Sequence, residues 1–243
     1  VSILADYSVP PPAGPASLKA AGVAGALRYL TGPYALSRGE ANGLASQGIL
    51  IGSILERGAS DILDPSLWQT YGEQAATIAS AAGQPTWAPI FCAADTPIET
   101  QTQVDAALES IQNAQRGMAP FPAGGYGDAI FMLALQFVGV PWRFQTVAWS
   151  EGKVTRGIGI LQTAQQESIG GTTVDVDIDE GVLAEHGLWT PGAAQPCPTQ
   201  QSVLALGPTW YERYGFAEPP EGELAMPEIA QCIVYGELFV PAP

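Results

Sequence analysis

Carboxylates recur in this sequence at the ends of apolar runs. Asp6 closes Ile3-Leu4-Ala5, Glu56 closes Ile49 to Leu55, and Asp95 closes Trp87 to Ala94. Further on, Asp175, Asp177 and Asp179 alternate with Val174, Val176 and Ile178. At a strand's period of two, the aspartates share one face and the aliphatics the other. Carboxyl groups converging on one rim are what glycoside hydrolysis needs, with one acid held protonated and a second ionised. Asp6, Glu56, Asp95 and Asp175 are therefore the candidate catalytic residues, and Asp177 a candidate for lining the same cleft. Taken singly, each also reads as an ordinary polar group at a strand end; the set carries the expectation.

Other side chains bear on the same rim. Arg28 sits near the end of the apolar run Val23 to Leu30, where an unpaired charge would be costly. It either pairs with Asp6 or Asp95 or binds a substrate carboxylate. Tyr29, Tyr126, Trp142 and Trp149 are candidates for stacking on sugar rings, against the alternative of core packing. Burial would raise the pKa of Asp95, while a helix N-terminus and Arg28 would lower it. The acid is Asp95 or Glu56; if Arg28 pairs with Asp6, Asp95 stays protonated and Glu56 is its ionised partner. Gly124-Gly125-Tyr126-Gly127 lacks the Lys-Ser/Thr of a phosphate loop, and Asp175 to Glu180 lacks the spacing of an EF-hand. Cys92, Cys197 and Cys232 have no metal-ligand spacing and His186 no partner in sequence, so neither a metal nor a cofactor is expected.

The elements that must position these residues read as alternating strands and helices. Apolar runs end at Asp6, Leu30, Glu56, Asp95 and Tyr126, and each leads into a helical segment. Ser37-Arg38-Gly39-Glu40 and Thr96-Pro97-Ile98-Glu99 have the pattern of capping boxes, which places a helix N-terminus directly after Asp95. Beyond Gly139 the rhythm changes: Trp142 to Trp149, Gly157 to Thr163 and Thr172 to Ile178 look like strands, with links too short for crossover helices and suited to hairpins. The expectation is an α/β, TIM-like barrel of five strand–helix units followed by three strands with few or no helices. It occupies residues 1–189. Residues 190–243 form a proline-rich C-terminal appendage, expected to dock on a partner.

Of the 243 residues, 47% are hydrophobic and only 14% charged, enough for one large core. Acidic residues outnumber basic ones by 24 to 9, for a net charge of −15. That sign repels phosphate backbones and anionic lipid, which argues against nucleic acid or membrane surfaces as partners. No segment approaches the ~20 apolar residues of a membrane span. The N-terminal VSILADYSVPPP lacks a basic start and a long apolar core, so no signal peptide is expected in the chain as given. Cys92 is expected to be a buried free thiol; Cys197 and Cys232 lie in the same appendage and are able to bridge in an oxidising environment, with the bridge itself left open.

These pieces together resemble a known family, the glycoside-hydrolase-like barrel domain of bacterial cell-wall and phage proteins, related to family-25 lysozymes. The resemblance covers about Ser2 to Trp189. It rests on Asp6, AAGVAGALRYL around Arg28-Tyr29, Glu40, GILIGSILE ending at Glu56, and PIFCAAD at Asp95. GGYG at Tyr126, Gln145 to Trp149, Gln162 and VDVDI at Asp175 complete it. It implies Arg28, Tyr29, Tyr126, Trp149, Gln162 and Asp177 as substrate-binding residues, and an extracellular, cell-wall or virion-associated location. Cell-wall polysaccharide would be the partner, with virion or envelope proteins reached through the C-terminal extension. The lysozymes carry Asp-x-Glu at the end of strand four, where the Glu is the catalytic acid; here the place reads Asp95-Thr96-Pro97. A tyrosine often follows the strand-seven glutamine; here it is Thr163. Two functions are therefore expected as alternatives: lysozyme-like hydrolysis or recognition of peptidoglycan or a related polymer, and a catalytically silent barrel serving as a glycan-binding or structural part of a virion or envelope assembly.

Overall fold

The computed structural model describes residues 2–169, 172–179 and 186–194. Its elements in order are β1 (Ser2–Tyr7), α1 (Pro15–Ala20), β2 (Val23–Tyr29), α2 (Arg38–Ser46), β3 (Leu50–Leu55) and α3 (Trp68–Ala82). Then follow β4 (Ile90–Ala93), α4 (Gln101–Met118), β5 (Ala123–Gly127), α5 (Ala129–Phe137), β6 (Arg143–Thr146), β7 (Ile160–Ile169) and β8 (Thr172–Asp179). The strands close into a barrel in sequence order. β1 to β7 are parallel, so the link between β6 and β7 is not the hairpin expected, and β8 runs antiparallel to both of its neighbours, β7 and β1. Because β8 reverses direction, Asp175 lies in register with Asp6, and Asp177 with Leu4.

Alternation along each strand sorts the residues into two apolar layers. Leu4, Leu27, Ile54, Phe91, Tyr126, Phe144 and Ile160 fill the barrel interior. Ala5, Ala26, Ile51, Ile90 and Cys92 face outward onto the helices, where Leu44, Trp68, Val104, Ile111 and Phe131 pack. Helices α3 and α4 meet backbone to backbone: a Cβ on Gly117 would lie 2.0 Å from the Gln69 carbonyl oxygen. Leu188 joins the interior cluster, and Gly25 leaves room for it, since a Cβ there would come within 2.7 Å of Leu188 Cδ2. Trp189 pairs its backbone with Ile51 and donates its indole N–H to Ser53 Oγ at 3.1 Å.

Several local expectations change. β4 is four residues long, because Thr86, Trp87 and Ala88 belong to the turn that precedes it. Thr96 does not cap a helix. The N-cap is Thr100, which forms a capping box with Gln103, so α4 starts six residues beyond Asp95 and Glu99 is exposed. At Ser37 only half of the box forms: its hydroxyl accepts from the Glu40 N–H, while the Glu40 carboxylate goes to Arg28. Cys92 is a buried free thiol, and burial raises its pKa. Cys197, Cys232 and the segment from 195 onward lie outside the described residues.

Candidate functional site

The rim formed by the C-terminal ends of β1 to β7 gathers most of the polar side chains named above. Asp6, next to last in β1, is buried, and the Tyr29 hydroxyl at the end of β2 donates to its Oδ2 at 3.3 Å. Tyr29 is held far above the usual phenol range, first by burial and then by the charges of Asp6 and Glu56 and by Tyr126. It therefore keeps its proton and serves as a donor. Strand β3 delivers Glu56 one residue past its end. Burial, and then the negative charge of Asp95, push the Glu56 carboxyl from the usual 4.5 up to about 7. Glu56 is thus the carboxyl that holds a proton near neutrality.

The other half of the rim is neutral and hydrogen-bonded. Gln162 of β7 accepts through Oε1 from the Tyr126 hydroxyl at 2.9 Å and from Thr146 Oγ1 at 2.8 Å. All three side chains are buried, as expected of polar groups that satisfy one another inside a barrel. Thr146 escaped notice in the sequence, although it shares the inward face of β6 with Phe144, two residues earlier. Asp175 and Asp177 are placed by register only, opposite Asp6 and Leu4 on β1, and Asp177 opposite Gln162 on β7.

Arg28 does not join this group. It lies on the outer face of β2, 0% exposed, with Nε 2.7 Å and Nη2 3.1 Å from the two oxygens of Glu40. Its guanidinium also donates to the carbonyls of Tyr7, Ser8 and Tyr34 and stacks on the Tyr7 ring, 4.5 Å from the centroid. The expected pairing with Asp6 or Asp95 is therefore replaced by Glu40. With its donors bound inside the protein, Arg28 has no route to a substrate carboxylate. Trp149 is not on a strand; it stands on the loop between β6 and β7, 41% exposed and at φ 57°.

The loop that carries Asp95 is fastened by a residue absent from the expectations. Asp128, the N-cap of α5, accepts from the Phe131 N–H through Oδ1 at 2.8 Å and from the Ile98 N–H through Oδ2 at 2.7 Å. Burial raises its pKa against the pull of those backbone bonds. Asp128 thus ties the start of one helix to the chain just beyond Asp95. Among the described residues no group of three or more His, Cys, Asp or Glu side chains is arranged to hold a metal.

The fold matches the Tat-secreted protein Rv2525c of Mycobacterium tuberculosis in complex with L-tartrate, at TM-score 0.69 and 21% identity, over 78% of this chain and 99% of that one. A second crystal form of that protein, in complex with HEPES, matches at TM-score 0.67, with 21% identity over 78% and 99% of the two chains. An uncharacterized protein of B. stearothermophilus matches at TM-score 0.55 and 16% identity, over 78% of this chain and 100% of that one. At these identities the likeness speaks to fold. No curated protein matches the chain. A family model covers residues 16–181, from α1 through β8, and the chain belongs to the Rv2525c-like, glycoside hydrolase-like domain family.

Proposed function

We propose that this barrel hydrolyses a glycosidic bond in a bacterial cell-wall glycan, with Glu56 as the general acid. The observation that carries the reading is the pKa of Glu56, raised to about 7 by burial and by Asp95. Two carboxyl groups whose environments push their protonation apart are the usual basis for assigning acid and base. In the resulting mechanism Glu56 gives its proton to the leaving glycosidic oxygen. Asp95 stabilises the positive charge that develops on the sugar or positions the attacking water. Asp6, held by the Tyr29 hydroxyl, adds negative charge to the same rim. Asp175 lies in backbone register with Asp6. Tyr126 and Gln162 offer a neutral wall against which the sugar's hydroxyl groups bind.

This moves the acid from strand four, where the lysozymes carry it, to the end of strand three. Pro97 occupies the lysozyme position and has no proton to give. That same departure favours the second reading, a silent barrel that binds glycan or serves as a structural part of an envelope or virion assembly. Substituting Glu56→Gln separates the two, because a hydrolase loses turnover and a binding module has none to lose. An extracellular location fits either reading, since the related Rv2525c is Tat-secreted. Residues 190–243 would then reach an envelope or virion partner. No helix among the described residues is long and apolar enough to cross a membrane.

A further inference from the structure

We propose that Tyr34 and Trp149 are sugar-stacking platforms on opposite sides of the rim, so that the barrel takes an internal stretch of a linear, uncharged glycan rather than one terminal sugar. The inference rests on the glycan reading above and names its substrate class.

Three large aromatic side chains stand out as exposed among the described residues: Tyr34 at 55%, Phe137 at 50% and Trp149 at 41%. Phe137 ends α5, which places it at the far end of the barrel from the carboxylates. Tyr34 follows β2 and Trp149 follows β6, so both belong to the carboxylate rim. In a closed ring of eight strands, β2 and β6 are four places apart and therefore opposite each other. Strands about 4.8 Å apart and tilted by about 36° give a barrel about 15 Å across. That exceeds the width of a single pyranose ring.

Both loops are pinned from beneath by fully buried polar side chains, whose cost in desolvation is offset by holding the backbone in place. On one side Arg28 donates to the Tyr34 carbonyl at 2.9 Å and to the Ser8 carbonyl at 3.4 Å, locking the loops after β2 and β1 together. On the other, Gln145 donates to the Lys153 carbonyl at 2.7 Å and accepts from the Thr155 N–H at 2.8 Å. Ser150 Oγ donates to the Thr146 carbonyl at 2.6 Å and accepts from the Ala129 N–H at 3.1 Å. Between these pins Trp149 is held at φ 57°, a left-handed backbone that is costly for a bulky residue and tends to occur where function requires it. An indole held in that state and left in water is explained by a ligand that covers it. Aromatic faces suit the apolar faces of sugars, and the acidic rim disfavours an anionic polymer.

The test is calorimetric titration of the full chain, carrying Glu56→Gln to prevent cleavage, with β-1,4-linked N-acetylglucosamine oligomers of one to six units. Affinity is expected to climb at least about tenfold with length. Adding Tyr34→Ala or Trp149→Ala should each cost about tenfold on the longest oligomer and flatten the length dependence. Tyr34→Phe, which keeps the ring, should bind like its parent, and Phe137→Ala should leave binding unchanged. Equal affinity for short and long oligomers, no binding of any oligomer, or full affinity in a folded Tyr34→Ala variant overturns the proposal. Length-dependent binding without turnover in the parent upholds it and overturns the hydrolase reading. Turnover with an unchanged KM in Tyr34→Ala does the reverse.

Discussion

The charge of Asp95, acting on a carboxyl already raised by burial, helps bring Glu56 to a pKa of about 7. Neither residue lies on a strand; each follows one, and the neighbouring strands β3 and β4 bring the two loops side by side. This relationship sets the chemistry proposed for the rim and also has a thermodynamic consequence.

Below about pH 4.5 Glu56 is protonated in folded and unfolded chains alike and contributes no pH dependence. Between that point and about pH 7 the unfolded chain ionises while the folded one keeps its proton, so stability falls as pH rises. Glu56→Gln removes this penalty. Urea denaturation should show the variant more stable than the parent by roughly 2 to 3 kcal/mol at about pH 8, and equal to it at about pH 4. A difference that does not change with pH would mean that Glu56 is not held protonated.

The Arg28–Glu40 pair predicts a second stability pattern. Glu40→Gln leaves a fully buried guanidinium with neutral acceptors alone and should cost about 3 to 5 kcal/mol. Arg28→Met should cost less, and the double variant Arg28→Met with Glu40→Leu should recover much of the loss, because the orphaned charge is gone. A double-mutant cycle by urea denaturation checks the coupling. Additive single effects would show that the two side chains do not depend on each other.

The barrel also has a defined lower limit of length. Leu188 and Trp189 are both buried, and the Trp87 indole N–H donates to the Ala193 carbonyl at 3.0 Å. A chain ending at residue 194 is expected to unfold cooperatively. One ending at residue 187 loses two buried side chains worth about 2 to 5 kcal/mol each and should not. Thermal melts of the two truncations decide this. Loss of cooperativity in the longer one would place residues 195–243 in the core.

Much of the strand order was legible because long apolar runs with glycine and proline punctuation survive in any tertiary setting. The carboxylates at Asp6, Glu56 and Asp95 were legible for the same reason, since each interrupts such a run. What local pattern did not reveal was which partner wins. Thr96-Pro97-Ile98-Glu99 reads as a helix start, yet the capping box forms at Thr100 and Gln103, with the Ile98 N–H taken by Asp128, thirty residues away. Glu40 reads as a capping residue, yet its carboxylate is worth more to a buried arginine than to an exposed backbone N–H. Pairings across strands and loops depend on register, and no spacing within one segment encodes them. The same holds for Thr146, whose role appears only when β6 lies beside β7 and Gln162.

The central claim, that Glu56 is the proton donor of a glycan hydrolase, is tested by following reducing-end release from purified peptidoglycan across pH with the full chain and its Glu56→Gln variant. The account predicts turnover by the parent that declines as pH rises through about 7, and a loss of about 10²- to 10⁴-fold in the variant. Turnover by the variant at the parent's rate, or none by either protein, would contradict it.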